Sequence, residues 1–276
     1  MHYKYDKMEA RRAASPRPNM YSQLSREADF AKRVAREAGD VMRGGFKLGM
    51  PRSLKSDNSP VTVFDRQINR NVIAAVRAEF PNHGVIGEEE SSGRREENWV
   101  CDPIDGTIAF ARGVPTATFS LALVDRDGSP RLGVVYDPWL DRMLVAERGK
   151  GAYLNGSPIN VSSTAGVAGA VIGHCSFRHK ENLGVSPFRE PLQENGAIML
   201  DVGSIVYMHM LVAVGEMDAT ITPGECHDLA ASKILIDEAR GRMTDITGKE
   251  QERYDGRMRR NIASNGLIHD ALIGIM

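Results

Sequence analysis

Acidic side chains follow short apolar stretches at separate points of the sequence. The tripeptide Glu88-Glu89-Glu90 comes directly after the strand-like segment 84–87, and Asp102 and Asp105 come after the segment 99–101. Asp65 and Asp228 stand at the starts of two segments in which apolar residues recur at helical spacing. Carboxylate oxygens are the ligands that hard divalent cations such as Mg²⁺ prefer, whereas Cys and His suit softer metals. If the fold gathers these side chains, the sequence predicts a site for a divalent cation.

The hexapeptide Asp102-Pro103-Ile104-Asp105-Gly106-Thr107 combines several features that such a site needs. Pro103 restricts the backbone between the two acids, which favours a fixed turn that aims the carbonyl of Ile104 at a metal. Gly106 permits close approach of the backbone, and the amides of Gly106 and Thr107 can meet a phosphate as the N-terminus of a helix does. Two acids, a stiff turn and an anion-binding corner therefore occur together.

Each fragment also has a purely structural explanation when it is taken alone. Glu88-Glu89-Glu90 is typical of a solvated loop, and Asp65 and Asp228 are typical of capping residues at helix N-termini. The dipeptide Gly106-Thr107 is common in ordinary turns. The hexapeptide is harder to explain in this way, because several of its features serve one kind of chemistry.

Hydrolysis of a phosphate monoester is the chemistry that these features fit. This bond is among the slowest to break in water, and enzymes accelerate its hydrolysis by up to about 10²¹-fold. The phosphate must be neutralised, a nucleophile generated and a leaving alkoxide stabilised, and divalent cations contribute to all three. We therefore expect a metal-dependent phosphomonoesterase.

The predicted elements place these residues in two halves of the chain. Amphipathic helices are predicted over residues 24–42 and 65–80, followed by strands that end at 159–161 and form an antiparallel sheet on the two helices. Tight turns are predicted at Asp127-Gly128 and Asn155-Gly156, since these dipeptides accept positive φ. Strands and helices alternate after about residue 162, which is typical of an α/β arrangement. We predict a disordered tail at 1–19, an N-terminal α+β half at 20–161 that binds metal, and a C-terminal α/β half at 162–276 that completes the site.

Composition and charge narrow the functional class. The chain has 276 residues and a net charge of −1, so it has no overall positive field that would favour nucleic acid. Cys101, Cys175 and Cys226 are widely spaced and odd in number, which matches neither a set of disulfides nor a zinc site. No apolar run approaches the length of a membrane span. We expect a cytoplasmic protein that acts on a small phosphorylated metabolite, with no nucleic-acid or membrane partner.

Several motifs occur in an order that is typical of one enzyme family. The segment 99–107 is followed by Phe110 and Gly113-Val114-Pro115, and it is preceded by Gly87-Glu88-Glu89. Asp228-Leu229-Ala230-Ala231 comes much later in the chain. These motifs resemble the signature, the upstream glutamate motif and the downstream aspartate motif of the inositol monophosphatase family, whose members are lithium-sensitive, Mg²⁺-dependent phosphatases. The resemblance extends from about residue 22 to residue 270.

The resemblance implies a fold and a metal site. The fold would be an α/β (α+β) five-layered αβαβα sandwich, and the protein would be a homodimer. Glu88, Asp102 and the carbonyl of Ile104 would hold a first Mg²⁺. Asp102, Asp105 and Asp228 would hold a second, and a third, weaker ion would lie near Glu88. Asp102 would thus bridge the two main ions.

The resemblance also implies a mechanism, in which a water activated by the metal attacks the phosphate in line and no phosphoenzyme forms. Glu88 and the hydroxyl of Thr107, backed by Asp65, would be the catalytic groups that orient the water. Substrate contacts would come from Asp105, Gly106 and Thr107 and, in a stretch similar to the family's substrate-side loop, from Gly203, Ser204 and Ile205.

Three departures from the family's motifs leave the leaving group open. Ala109 stands where the family usually has Asn, and His227 stands where it usually has Trp. The position at or near Ile221 is a glutamate in inositol-selective members, and Glu225 does not clearly replace it. A lone His is more often a structural group than a ligand, and Mg²⁺ does not favour imidazole, so a structural role is expected for His227. The alternative is a polar contact with the substrate or a place in the metal's outer shell.

The expected substrate is therefore a small phosphorylated polyol, sugar or alcohol. Histidinol phosphate, a nucleotide 3′-phosphate and an intermediate of a specialised pathway are the alternatives among enzymes. From another class, the chain could be a phospho-ligand-binding protein that has lost turnover. The joint presence of Glu88, Asp102, Asp105, Thr107 and Asp228 argues against that alternative, because a protein that only binds does not need them all.

Overall fold

Helices and strands alternate along the part of the chain that the computed structural model describes, which is residues 24–47, 53–54, 60–175 and 186–276. The tail predicted at 1–19 lies outside these residues. In chain order the elements are α1 (Arg26–Gly45), β1 (Ser53–Leu54), β2 (Pro60–Val61), α2 (Val63–Glu79), β3 (Gly84–Gly87), β4 (Asn98–Asp105), α3 (Thr107–Ala111), β5 (Thr118–Val124), β6 (Pro130–Asp137), β7 (Arg142–Glu147), β8 (Ala152–Leu154), β9 (Ser157–Pro158), β10 (Val171–His174), α4 (Ser186–Glu194), β11 (Ile198–Leu200), α5 (Ile205–Ala213), β12 (Ala219–Thr222), α6 (Cys226–Glu238), β13 (Arg242–Asp245), β14 (Asn261–Ser264) and α7 (His269–Ile275).

These elements stack in five layers. Helices α1 and α2 cover one face of a sheet with the strand order β3-β4-β5-β6-β7-β8-β9. Helices α5 and α6 lie between that sheet and a second one, with the order β11-β10-β12-β14-β13. Helices α4 and α7 cover the outer face of the second sheet. The expected αβαβα sandwich is confirmed, and none of the helices described is long and apolar enough to cross a membrane.

The two helices of the first layer begin at side chains that cap their free amides. Ser25 accepts a hydrogen bond from the amide of Ala28 at 3.3 Å at the start of α1. Thr62 and Asp65 form a capping box at the start of α2, in which the side chain of each residue accepts a hydrogen bond from the backbone amide of the other. Both helices then bury an apolar stripe against the sheet, as their spacing predicts.

Turn residues set the register of the first sheet where the sequence predicts it. Gly128 has a φ of 85° in the β5–β6 connection, and Asn155 and Gly156 have φ values of 46° and 85° between β8 and β9. The predicted strand at 159–161 is wrong, because the strand there is Ser157–Pro158. The amide of Val161 instead donates to the carbonyl of Ala239 at 3.0 Å, so the chain has already left the sheet.

The first sheet is antiparallel except at one edge, where β3 pairs with β4 in parallel. It is built from residues 84–158, whereas the second sheet is built from residues 171–264. The predicted division of the chain at residues 161 and 162 stays a prediction, since α5 and α6 pack between the two sheets and share one core with both.

Candidate active site

The parallel pairing of β3 and β4 brings two of the predicted acids to the same end of the first sheet. Gly87 pairs with Cys101, so Glu88 and Asp102 are the next residues on neighbouring strands. The amide of Glu88 continues the ladder by donating to the carbonyl of Cys101 at 3.1 Å. Adjacent parallel strands end at a common edge, which is why two acids far apart in sequence lie together.

A bulge in β4, rather than the predicted turn at Pro103, brings Asp102 and Asp105 together. Asp102 pairs with Ser120 and Asp105 pairs with Thr118, so β4 has one residue more than its partner strand over this interval. Side chains three residues apart in a regular strand point to opposite faces of the sheet. The extra residue in β4 lets the side chains of Asp102 and Asp105 point to the same side. The bulge is held by the amide of Ile104, which donates to the Asp102 carboxylate at 3.0 Å.

Two groups of potential ligand atoms share Asp102. Oxygens of Asp102, Asp105 and Asp228 lie within 4.8 Å of one another. Oxygens of Glu88 and Asp102 and a ring nitrogen of His227 form a second group with the same spacing. The structure thus brings together the acids that the resemblance assigns to two metals, and Asp102 belongs to both groups.

Burial makes the negative charge of this cluster costly. Asp102, Asp105 and Asp228 are 2%, 6% and 8% exposed. Two carboxylates 4.8 Å apart repel by roughly 3 kcal/mol at an effective dielectric constant of about 20. Burial, together with the charges of neighbouring acids, raises the pKa of Asp102 well above its usual range and raises the pKa of Asp105 to about 7.

Asp228 and Asp65 are both held by capping boxes, each at the third residue of its helix. The Oδ2 atom of Asp228 accepts from the amide of Glu225 at 2.6 Å, and that of Asp65 accepts from the amide of Thr62 at 2.8 Å. Burial raises the pKa of Asp65 to about 6, although hydrogen bonds from Thr62 lower it. The structural and the functional interpretations of these acids are therefore compatible, because one oxygen caps the helix and the other remains for the site.

The hydroxyl of Thr107 connects the hexapeptide to α2. Its Oγ1 atom lies 3.2 Å from Oδ1 of Asp65 and 3.0 Å from the carbonyl oxygen of Ile104. A hydroxyl has one proton and can donate to only one of these acceptors at a time. The contact with Asp65 agrees with the predicted pairing of these two residues.

Gly106 places the short helix α3 against the start of α5. Its φ of 84° lies in the left-handed region, and a Cβ at this position would meet Cβ of Ser204 at 2.9 Å and the carbonyl oxygen of Gly203 at 3.1 Å. Glycine is thus required both for the backbone angle and for the close approach. The predicted phosphate-binding corner and the predicted substrate-side loop lie side by side.

Ser204 is bound to Asp105 in the structure. Its hydroxyl donates to Oδ2 of Asp105, which also accepts from the amide of Val206 at 2.9 Å. Ser204 is buried at the N-terminus of α5 and caps the amide of Tyr207 at 3.0 Å. This residue positions a predicted metal ligand, and contacts of Gly203 and Ile205 with substrate stay predictions.

Asn69 is a residue of the site that the sequence did not single out. It is fully buried on α2, donates to the carbonyl of Glu90 at 2.8 Å and accepts from the amide of Glu89 at 3.3 Å. A Cβ on Gly87 would collide with its side chain. Asn69 therefore holds the loop that carries Glu88, and its position four residues after Asp65 on a buried helix face was the available signal.

The departures from the family's motifs have different surroundings. Ile221 is fully buried in β12 and packs in the core between the second sheet and helices α4 and α7. Glu225 is exposed and caps α6. Ala109 is buried on α3, near Gly203.

His227 lies beside the carboxylates. Burial lowers its pKa, but the carboxylates of Asp228 and Glu88 raise it by more, to about 10.

The donor atoms of this cluster fit a divalent cation. The cluster offers carboxylate oxygens from four residues and the carbonyl of Ile104, which has a second lone pair beside its bond to Thr107. Such oxygen-rich sets suit Mg²⁺. Burial, together with repulsion between neighbouring carboxylates, raises the pKa values of Asp102, Asp105 and Asp228. A cation bound among them would offset both effects.

Comparison with known proteins gives a consistent result. A sequence model described as the inositol monophosphatase family matches residues 23–276. The Thermotoga maritima protein named fructose-1,6-bisphosphatase/inositol-1-monophosphatase is 34% identical over 220 residues, which cover 78% of this chain and 82% of that protein. A histidinol-phosphatase of Chlorobaculum parvum is 33% identical over 242 residues, covering 82% and 88%. A solved IMPase structure from Thermotoga maritima has a TM-score of 0.83 at 31% identity and covers 91% of this chain and 96% of that one.

Proposed function

The chain belongs to the inositol monophosphatase family and is a phosphatase of that type, and we propose that it uses Mg²⁺ to hydrolyse a small phosphorylated polyol, sugar or alcohol. The observation that carries the proposal is the buried group of Asp102, Asp105 and Asp228, joined through Asp102 to Glu88. A structural role does not require four acids at one place, three of which are almost fully buried.

The proposed ligands form two overlapping sets. Glu88, Asp102 and the carbonyl of Ile104 would hold one Mg²⁺, and Asp102, Asp105 and Asp228 would hold another. A third, weaker ion would lie near Glu88. When bound, Mg²⁺ neutralises phosphate oxygens, activates water as a Lewis acid and stabilises the charge on the leaving oxygen. The shared position of Asp102 supports the two-ion arrangement.

The chain's own groups orient the water that attacks phosphorus. Thr107 donates its proton to Asp65, which leaves the lone pairs of the hydroxyl available to accept a hydrogen bond from that water. Glu88 accepts a hydrogen bond from the other O–H group of the same water. These two contacts fix the direction of the water's own lone pair, so that it faces the phosphate in line with the leaving group.

Phosphate and leaving group would occupy adjacent parts of the site. The amides of Gly106 and Thr107 bind phosphate oxygens at the start of α3, and Asp105 contacts the substrate from the same corner. The Gly203-Ser204-Ile205 stretch borders the leaving group, with the buried Ser204 fixing its backbone. Because Ile221 offers no carboxylate and no exposed surface, nothing at that position selects inositol hydroxyls.

A panel of phosphomonoesters with and without Mg²⁺ tests the proposal. It includes inositol monophosphates, histidinol phosphate, hexose phosphates, fructose 1,6-bisphosphate and adenosine 3′,5′-bisphosphate, with phosphate release as the readout. We expect Mg²⁺-dependent turnover of at least one of them and inhibition by Li⁺. Binding without turnover on every substrate would instead favour a phospho-ligand-binding protein.

The variant Asp105→Asn provides the matching test of the site. We expect Mg²⁺-dependent turnover to fall by at least about 10³-fold, because an amide is a weak ligand for Mg²⁺. Asp127→Asn makes the same change at an exposed turn residue and should leave turnover unchanged. Circular dichroism establishes that both variants are folded, and normal activity of Asp105→Asn would refute the assignment.

We also propose a cytoplasmic homodimer. The three cysteines are free and buried, which agrees with a reducing compartment. Light scattering of the purified protein measures the oligomeric state directly.

A further inference from the structure

His227 occupies the second residue of α6, between Cys226 and Asp228, at the end of the helix that faces the acidic cluster. The family's motif usually has a Trp at this position, a residue that cannot bind a metal. An imidazole in the same place changes the chemistry of the site, because it introduces a nitrogen donor among carboxylates. The sequence predicts a structural role for His227, whereas the structure places its ring among carboxylate oxygens.

The distances around the imidazole are those of a ligand set. A ring nitrogen of His227 and oxygens of Glu88 and Asp102 all lie within 4.8 Å of one another. Ligand atoms about 2.0–2.4 Å from one ion lie up to roughly 4–5 Å from each other, so a single cation can contact all three. By contrast, Nε2 of His227 is 3.9 Å from Oδ2 of Asp228, which is too long for a hydrogen bond.

The backbone of His227 is held against the first sheet. Its carbonyl accepts a hydrogen bond from the hydroxyl of Ser120 at 3.4 Å, which ties the first turn of α6 to β5. Ser120 is also the partner of Asp102 across the sheet. The backbone that carries the imidazole is therefore fixed relative to the strand that carries Asp102.

We propose that His227 supplies a nitrogen ligand to the cation held by Glu88 and Asp102, and that the imidazole releases its proton to solvent when the cation binds. The inference rests on the metal site proposed above and adds a determinant of metal choice to it. Imidazole binds Co²⁺ and Zn²⁺ well and Mg²⁺ poorly, whereas carboxylates accept all of them. The site of this chain therefore holds transition-metal ions more tightly, relative to Mg²⁺, than a site with Trp at the same position.

Pulsed electron paramagnetic resonance of Mn²⁺ bound to the intact protein tests the contact directly. With less than one Mn²⁺ per chain, we expect modulation from a directly coordinated nitrogen, which changes when the protein is labelled with ¹⁵N. The signal should be lost in His227→Gln and kept in His83→Gln, which removes an imidazole that pairs with Glu97 outside the site. The unmodified protein decides the question even if a variant folds poorly.

Equilibrium binding separates metal choice from catalysis. We expect His227→Gln to weaken Co²⁺ and Zn²⁺ binding by about 10–100-fold while Mg²⁺ affinity changes by less than about threefold. His227→Trp should behave in the same way, because it restores the side chain usual in the family. If Mn²⁺ binds without nitrogen coupling, or if the affinities for all metals fall equally, the role of His227 is refuted but the proposed metal site is not. Absence of Mn²⁺ binding would instead refute the proposed metal site.

Discussion

The hydroxyl of Thr107 has one proton and two acceptors, and the choice between them decides what it can do. Asp65 has a pKa of about 6, so near neutral pH its carboxylate is mostly ionised and attracts the proton more strongly than the neutral carbonyl of Ile104. Once that proton is committed, the oxygen of Thr107 can only accept from a water. The capping box that fixes Asp65 thus also fixes the direction of the hydrogen bond that we propose between Thr107 and the attacking water.

Replacing Thr107 by Val should remove this water contact while preserving the shape of the side chain. We expect kcat with Mg²⁺ to fall by about 100-fold or more, because correctly placed proton acceptors contribute on the order of 10²–10⁴-fold. Thr107→Ser keeps the hydroxyl and should remain within about tenfold of the unmodified enzyme. Steady-state kinetics on the best substrate of the panel measures both, and a Val variant with more than half of the original kcat would contradict the role.

At this scale, local spacing alone indicated a shared role only for residues within one short motif. Asp102, Asp105 and Thr107 lie within six positions, and their spacing alone indicates their joint chemistry. Ser204 binds Asp105 across 99 positions. Asn69 holds residues about 20 positions away. Such contacts depend on how strands and helices are arranged, which local spacing does not determine.

Gly106 lies where β4, α3 and α5 meet, and its conformation fixes how these three elements are placed around the site. Gly106 follows the bulge that carries Asp105, and its positive φ directs the chain into α3. Ser204 and the amide of Val206, at the start of α5, bind the Asp105 carboxylate. Any displacement of α5 from Gly106 therefore also moves a predicted metal ligand.

Gly106→Ala should separate these elements. The added Cβ would meet Ser204 at 2.9 Å in a backbone conformation that disfavours any side chain, so we expect a loss of about 1–3 kcal/mol in the free energy of unfolding and at least a tenfold loss of kcat. Gly169→Ala is the matched control, because Gly169 also has a positive φ, of 81°, but an added Cβ meets nothing within 4 Å. Chemical denaturation and kinetics compare the two, and equal losses would show that only the backbone angle matters.

Element order could be predicted from the sequence more readily than pairing. The helices and most strands of the first sheet follow from apolar spacing, and its turns follow from Asp127-Gly128 and Asn155-Gly156. The segment 159–161 is as apolar as a strand, but its Val161 amide bonds to the chain after α6. The bulge at Pro103 depends on the partner strand β5, so the hexapeptide alone predicted a turn there instead.

In the whole molecule, the acidic cluster lies where the first sheet meets the helices between the two sheets, and its negative charges repel one another. Glu88 and Asp102 come from the first sheet, whereas Asp228 comes from α6 between the sheets. Without a cation, folding brings these carboxylates together out of water and opposes their ionisation. With a cation, the same arrangement is a tight binding site, so function and stability of the metal-free protein are in conflict.

This conflict predicts how the stability of the metal-free protein depends on pH. The pKa of Asp105 is about 7 in the folded protein, against about 3.8 as its ordinary value, so the folded state binds more protons between these limits. Its contribution is fully present below the lower value and is lost as pH rises through about 7. In EDTA, therefore, the Tm of the protein should fall between about pH 4 and pH 7 through this group, and saturating Mg²⁺ should offset the loss.

Asp105→Asn should reveal the cost of the ionised carboxylate directly, because an amide oxygen can still accept from Ser204 and Val206. In EDTA near pH 8 we expect this variant to melt about 2–4 °C above the unmodified protein, the shift that corresponds to roughly 1 kcal/mol in a chain of this size. The difference should shrink near pH 5 and reverse in saturating Mg²⁺, which stabilises only the protein that binds it. Asp127→Asn, whose carboxyl has a lowered pKa at an exposed turn, should not gain stability at pH 8. Differential scanning calorimetry makes the comparison, and a lower Tm for Asp105→Asn in EDTA at pH 8 would mean that the carboxylate stabilises the fold rather than opposing it.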